Sequence, residues 1–286
     1  MSDMKYVNEI LSTDMGTEGQ LLIPRKIHAT LIAEVMKRLI PRTEAALYFS
    51  PAMIPGSSVD VNTEDENIMK VRLVAEGAEI WLDQDEYSNT NMKPLKYGVA
   101  IRITKEMQED SQWPLLQRNI TKAGKRFAEN ETNLILTALQ ACSNSVSGGA
   151  AITNANITRA MQYLDDADYE GTGILVGNEV MNDIRNIDTY VEFNKAGDNE
   201  MMKTGARGIL LGLAVHRFST KAVPSSTYSK YAYVYDKEHA WMIAEKRPIT
   251  VENFVLPTCD MSGAAVTQRL TVSLLRDSAA CRISTS

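Results

Sequence analysis

A chain of 286 residues with 44% hydrophobic and 23% charged side chains has the makeup of a folded protein, with length for a substantial core and for one or two domains. Its net charge of −6 supplies no basic field to draw nucleic acid, and it contains no run of about 18 apolar residues to cross a membrane. The opening MSDMKYVNEILSTD lacks a basic start and an apolar stretch, so no secretory signal is expected; Cys142, Cys259 and Cys281, far apart and without metal spacing, read as small hydrophobes in a reducing compartment.

Residues 1–20 show weak periodicity and predict an extended arm that needs a partner surface to be ordered. Pro24 opens a helix with Ile27, Leu31, Val35 and Leu39 on one face, closed by Pro41, and Ala45 to Phe49 predicts a strand. Pro51, Pro55 and Gly56 then break the chain. From Val59 to Tyr97 the pattern is unlike a core segment: an acidic run at Glu64, Asp65 and Glu66, the apolar VRLVAEGAEIWL, a polar turn from Asp83 to Asn91, and a returning strand, LKYGVAIRI. Two long strands with charged tips predict a β-hairpin. Either it stands off the body, with Ile80, Trp81, Leu82 and Tyr87 covered by another subunit, or it packs on its own domain; pattern alone does not separate the two.

Thr104 caps a short helix, KEMQED, which leads into the stretch that organises the chain, Trp113 to Cys142. There Leu116, Ile120, Ala123, Phe127, Leu134, Ala138 and Ala141 recur at helical spacing, with Ser111 as cap and Pro114 in the first turn. At 1.5 Å per residue this rod is about 45 Å long, a spine across its domain. Gly148 and Gly149 are expected to end it.

Beyond the spine the punctuation becomes α/β-like. Asn154 or Asn156 caps a helix with Ile157, Ala160, Met161 and Leu164 inward. Gly171 and Gly173 bracket the strand Ile174 to Val176, and Asn178 caps a helix carrying Val180, Met181 and Ile184. Thr189 to Arg207 reads as a long surface loop, and Gly208 to Phe218 as a strand broken by Gly212. Tyr231–Tyr235 and Ala240–Ala244 are expected to pair across Asp236–His239, followed by strands at Pro248–Val255, Val266–Leu275 and Ala280–Ile283. An α/β module of about 152–244, inserted into a spine-and-strand module, is the expected organisation.

No GxSxG, HExxH, Walker-A or GxGxxG stretch is present, and His28, His216 and His239 lie on different elements without a nucleophile motif. The acidic groups near Glu64 and Asp83 lack calcium-loop spacing and read as a solvated charge cluster, so neither metal nor cofactor is expected. Tyr231, Tyr233 and Tyr235 alternate onto one strand face, which points to core or interface. An arm, a projecting hairpin and no catalytic set suit a building block that contacts copies of itself.

The ordered series of segments resembles the HK97-like major capsid protein of tailed bacteriophages and related archaeal viruses. LIPRKIHATLI is similar to the family's proline-opened helix after the arm. VRLVAEGAEIWLDQDEY is similar to the E-loop stretch with its Glu-Gly pair. MKPLKYGVAIRITKEMQEDS resembles the returning strand that enters the spine through Thr104, Glu106, Asp110 and Ser111. GILVGNEVMNDIRN and GILLGLAVHRFST resemble A-domain segments, and AWMIAEKRPITVENF and VTQRLTVSLLRDSAACRI resemble closing P-domain strands.

The resemblance implies an α+β, HK97-like fold: an N-terminal arm (1–23), a first part of the P-domain (24–56), an extended β-hairpin E-loop (57–98), the P-domain with its long spine helix (99–151), an α/β A-domain (152–244) and closing P-domain strands (245–286). It implies a non-enzymatic shell protein in the virion, forming hexamers and pentamers around double-stranded DNA after assembly in the host cytoplasm. Portal and scaffolding or decoration proteins are the implied partners, and no membrane is involved. No scaffold-like extension precedes Leu22, so a separate scaffolding protein, or none, is expected. Glu76, Gly77, Ile80, Trp81, Leu82 and Tyr87 are the implied assembly-interface residues. An encapsulin-type compartment is the alternative with the same fold, and an α/β enzyme with a site around His216 and His239 is an alternative of another class.

Overall fold

The computed structural model describes residues 31, 40, 42–64, 71–77, 79–82, 87–109, 115–187, 209–218 and 226–285. The expected arm, most of the helix opened by Pro24, the loop from Thr189 to Arg207, and the spine-entry residues Ser111 and Pro114 lie outside them. In chain order the strands are β1 (Leu47–Phe49), β2 (Val59–Glu64), β3 (Tyr87–Met92), β4 (Leu95–Thr104), β5 (Asn144–Gly149), β6 (Gly173–Val176), β7 (Ile209–Leu210), β8 (Leu213–Arg217), β9 (Tyr231–Tyr235), β10 (Trp241–Leu256), β11 (Met261–Leu274) and β12 (Ala280–Thr285). The helices are α1 (Lys105–Glu109), α2 (Leu115–Leu139), α3 (Asn154–Asp165) and α4 (Asn178–Arg185).

The spine is α2. It stops at Leu139, short of Cys142, where Ala141 and Cys142 bond back to Ala138 and Leu139 in a tightened last turn. Its buried positions are Ile120, Ala123, Phe127, Ala128, Glu131, Thr132, Ile135, Leu136 and Leu139. The expected face holds from Ile120 to Phe127 and then slips: Leu134 and Ala138 are only half-buried and Ala141 is exposed. The cause is Glu131. A reading that admits only apolar residues to the inner face steps over a buried carboxylate, and with it over Ile135, one turn further on the same side.

Two sheets receive this helix. In the first, ordered β1-β10-β11-β4, β1 runs parallel to β10 and the other pairs are antiparallel. The first half of the spine packs Ile120, Ala123, Phe127 and Ala128 against Ile101, Ile249 and Val266 of this sheet, with Leu31 alongside. The second sheet is ordered β5-β12-β9-β6-β8-β7. Its strands alternate between two cores. Ile174, Val176, Ala232, Val234 and Val215 face α3 and α4 through Ile157, Leu164, Val180 and Ile184. Leu175, Tyr233 and Tyr235 face the spine's end, Ile135, Leu136 and Leu139, which also touches Trp241 and Ile243 of the first sheet. The last two turns of the spine thus join both sheets.

Several local expectations change. Tyr231–Tyr235 and Ala240–Ala244 do not pair; β9 joins the six-stranded sheet and β10 the four-stranded one, and the Asp236–His239 turn carries the chain between them. β10 starts at Trp241, well before Pro248, because register shifts between Glu245 and Thr250 let the strand bend past a residue that has no N–H to donate. Gly148 and Gly149 do not end the spine but lie in β5, an edge strand on β12 with Val146 as its one large apolar residue. Thr153, not Asn154 or Asn156, occupies the cap position of α3, while the Asn156 amide donates to the Gly148 carbonyl at 3.2 Å. Gly177, not Asn178, precedes α4, because a Cβ there would lie 2.3 Å from the Ser229 carbonyl oxygen. The broken strand expected over 208–218 is, from Ile209 to Arg217, a hairpin: Leu211 and Gly212, at φ 52 and 86, form a two-residue turn of the primed kind between β7 and β8. The cap on α1 is as expected, with the Met107 N–H donating to Thr104 Oγ1 at 3.2 Å.

One buried polar cluster ties the first sheet to the spine. Arg42, in a single 3₁₀ turn before β1, donates to both oxygens of Glu131 at 2.9 and 3.0 Å and to both of Glu245 at 3.0 and 3.2 Å. The Tyr48 hydroxyl donates to Glu245, and Gln268 on β11 donates to Glu245 Oε1 at 2.9 Å. Burial alone would raise the Glu245 carboxyl, but the Tyr48 hydroxyl, the Arg42 guanidinium and the Gln268 amide together hold it below the usual range. Burial and the neighbouring Glu245 push Tyr48 up to about 12. Glu131, Glu245 and Gln268 are almost wholly excluded from solvent.

Removing one partner strands the rest. Arg42→Met should lower the stability of the dissociated subunit by about 3–5 kcal/mol, read from urea unfolding. Because Glu245 titrates low in the fold, its contribution is complete above the ordinary carboxylate value of about 4.3 and is lost as pH falls through the lower folded value. Unfolding free energy should therefore drop across that acid window in the unmodified chain, and Glu245→Gln should flatten the drop.

Candidate functional site

The residues singled out from sequence lie on the excursion between β2 and β3. These two strands pair antiparallel from Val59↔Met92 to Glu64↔Tyr87. Val59 and Val61 turn inward onto Ile54, Met92, Met242 and Ala244, which roots the excursion in the body. The expected strand partners are thus corrected. LKYGVAIRI, as β4, pairs over ten positions with β11, and the polar residues 88–91, expected as a turn, lie in a strand. VRLVAEGAEIWL, so left without a strand partner among the described residues, forms no regular structure over 71–77 and 79–82.

Glu76 and Gly77 form a turn, with Gly77 at φ 80, in the left-handed region that favours glycine. On either side the apolar side chains project outward: Val71 and Leu73 are fully exposed, Leu82 is 99% exposed, Trp81 74% and Ile80 73%. Tyr87, 64% exposed, stands at the first position of β3 opposite Glu64. The Arg72 guanidinium lies 5.7 Å from the centre of the Trp81 ring, so the two halves of the excursion touch. The structure therefore brings Ile80, Trp81 and Leu82 together with Val71 and Leu73, two residues that sequence reasoning placed in a strand. The same VRLVAEGAEIWL run that announced a strand was the signal for them. An apolar surface of this size, rimmed by Glu76 and Glu79, is the kind that marks a protein contact.

A second exposed apolar pair, Val255 and Leu256, sits at the far end of β10 beside the turn to β11. It went unnoticed because Val255 read as the end of an ordinary strand. Asp260 in that turn pairs with Lys105 at 2.5 Å, an exposed contact of small energy.

Among the described residues, His216 and His239 gather no catalytic set. His216, on β8, has its Nε2 3.8 Å from Glu44 of the 3₁₀ turn before β1, and Glu44 in turn accepts from the Tyr235 hydroxyl at 3.1 Å. His239 Nδ1 is 2.7 Å from Asp236 in the turn before β10, with its ring against Tyr169. Tyr231, Tyr233 and Tyr235 are core residues, with edge-to-face contacts from Tyr231 to Tyr233 and from Tyr235 to Trp241. Cys281 is buried and its thiol is pushed up to about 12 by that burial. Among the described residues no group of three or more His, Cys, Asp or Glu is placed to hold a metal, and no helix is long and apolar enough to cross a membrane.

Residues 88–255 match the family described as phage capsid protein. No curated protein sequence matches the chain significantly. Among solved structures, the fold is similar to the asymmetric unit of the bacteriophage PhiM1 mature capsid, with TM-score 0.63, 11% identity and 87% of each chain covered. It is similar to a Mycobacterium phage Cain structure, with TM-score 0.64, 11% identity, and 88% of this chain and 90% of that one covered. It is also similar to the virus-like particle from Pyrococcus furiosus, with TM-score 0.58, 12% identity, and 91% and 98% covered. At such identities the structures speak for the fold, and that fold is the HK97-like one the ordered segments resembled. Since the family match spans more than half of the 286 residues, the chain belongs to the phage capsid protein family and is a shell-building protein, not an enzyme.

Proposed function

We propose that this chain is the major capsid protein of a virus, self-assembling into hexamers and pentamers that close an icosahedral shell around double-stranded DNA. One observation carries the reading: five large apolar side chains, Val71, Leu73, Ile80, Trp81 and Leu82, are each 73% or more exposed on an excursion that the described residues of its own chain leave uncovered. At about 1.5–3 kcal/mol for each side chain removed from water, covering them on a neighbour yields on the order of 10 kcal/mol per subunit before the cost of association. Repeated around a closed ring, that contact drives assembly.

In this reading 57–98 is the E-loop, with Glu76, Gly77, Ile80, Trp81, Leu82 and Tyr87 at the inter-subunit contact. The spine and four-stranded sheet form the P-domain, and 152–244 the A-domain. The shell forms in the host cytoplasm and is completed by portal and scaffolding or decoration proteins. A net charge of −6 suits a container that holds DNA without gripping it, since a strongly basic lining would stall packaged DNA. The similarity to a virus-like particle supports a second reading, a compartment that encloses proteins instead of a genome. The contents distinguish the two.

Negative-stain microscopy of the purified chain should show closed shells. Particles recovered from the native source should hold nuclease-protected double-stranded DNA; a protein cargo in its place would favour the compartment. Trp81→Ser with Leu82→Ser should abolish shells, shifting sedimentation to free subunits or isolated capsomers, while the far-ultraviolet circular dichroism and thermal midpoint of the dissociated subunit stay unchanged.

A further inference from the structure

The spine carries a charge bias that its packing does not use. From Gln112 to Ala128 the chain has four basic residues, Arg118, Lys122, Lys125 and Arg126, and no acidic one. At 3.6 residues per turn the four fall within an arc of about 100°, and that arc points away from the buried side made by Ile120, Phe127 and Glu131. They form the helix's outward ridge: Arg118, Lys122 and Arg126 are exposed and Lys125 is half-buried. Among the described residues Arg118, Lys122 and Lys125 have no acidic partner, and Arg126, which meets Glu129 at 2.8 Å, keeps 70% of its side chain exposed. The chain's excess acid lies elsewhere. Between Glu64 and Glu86 are eight acidic and two basic side chains, a net charge of −6 that equals the whole chain's.

The residues the ridge lacks decide what it suits. From Arg118 to Arg126 the exposed positions are Arg118, Thr121, Lys122 and Arg126, and none is apolar. A protein partner needs an apolar, lysine-poor centre to its contact, whereas a nucleic-acid contact is polar, positive and fed by phosphates. No aromatic ring is exposed over this stretch for an unpaired base to stack on, which favours a duplex over a single strand. The four residues span about 12 Å of helix, a length over which a parallel duplex presents about seven phosphate charges.

We infer that Arg118, Lys122, Lys125 and Arg126 form a contact for the phosphate backbone of double-stranded DNA, which puts the outward ridge of the spine on the inner wall of the shell. This rests on the shell reading and adds a named surface to it. The contact reads no sequence, because phosphates carry none. It is also shallow: four phosphate contacts lose roughly a hundredfold in affinity between about 50 and 200 mM salt, so the ridge touches packaged DNA without stalling it.

The first test measures the anisotropy of a short fluorescent duplex with dissociated full-length subunits over a range of salt. The logarithm of affinity should fall against the logarithm of salt with a slope of about −3.6, whatever the duplex sequence. Arg118→Gln, Lys122→Gln, Lys125→Gln and Arg126→Gln together should weaken binding at least tenfold at low salt and bring the slope near zero. Lys93→Gln, Lys96→Gln, Lys237→Gln and Arg247→Gln remove the same charge from exposed positions off the spine and should leave the slope unchanged. Equal weakening by the two sets, or no binding by the unmodified chain at low salt, would overturn the inference. A second measurement needs no variant. DNA-filled particles from the native source, treated with formaldehyde and digested with protease and nuclease, should carry nucleotide adducts on Lys122 or Lys125. Adducts confined to other lysines would overturn the inference and leave the shell reading standing, as would a protein joined to Lys122 or Lys125 in place of a nucleotide. Particles that hold no DNA would overturn both.

Discussion

The Arg42 guanidinium between Glu131 and Glu245 holds the two halves of this architecture in register. Glu131 stands on the spine, Glu245 on the longest strand, and Arg42 just ahead of the first strand of the same sheet. Two buried carboxylates repel each other and resist desolvation, and one cation serving both with four hydrogen bonds offsets each cost. The arrangement is directional: only one placement of helix on sheet satisfies every donor. Apolar packing along Phe127, Ile249 and Val266 supplies the larger part of the attraction but tolerates sliding. The cluster removes that freedom, and a rigid body is what the excursion between β2 and β3 needs if it is to reach the same point on every neighbour.

Charge and apolarity are distributed on opposite logics inside and outside. Within the body, the buried acidic groups Glu131, Asp236 and Glu245 are bonded and structural. On the excursion acidic groups are many in sequence, and Glu64, Glu76 and Glu79 are exposed alongside large hydrophobes. The combination lets a subunit stay dispersed, because like-charged loops repel at a distance, while a close and matched partner gains both the ionic and the apolar contribution. Specificity for a neighbour over random aggregation follows from requiring both at once.

Much of this was readable from residues alone. The spine announced itself through Ile120, Ala123 and Phe127, and the tyrosine alternation through 231, 233 and 235, whereas the pattern around Ile80, Trp81 and Leu82 left open whether they pack on their own domain or stand exposed. What escaped has identifiable causes. Glu131 hid the true inner face of the second half of the spine, since nothing local reveals that Arg42, 89 residues earlier, meets it. The pairing of VRLVAEGAEIWL with LKYGVAIRI failed because strand propensity is blind to partners, and β11 outcompetes a neighbour in sequence by offering ten register positions. β5 was invisible because an edge strand of NSVSGG needs little apolar content when β12 supplies the pairing. The mixture of apolar and acidic residues in the excursion was legible, but its lack of a strand partner was not, since β11, which takes LKYGVAIRI, comes within reach only by folding.

The strand order also bears on when the molecule becomes sticky. β1 is emitted early by a ribosome, yet its partner β10 lies almost two hundred residues later, and β12 must slot between β5 and β9 to finish the larger sheet. Neither sheet can close on a half-made chain. Both sheets are therefore completed only near the end of synthesis, when β10 and β12 have emerged, and until then β1 and β5 remain edges without their partners.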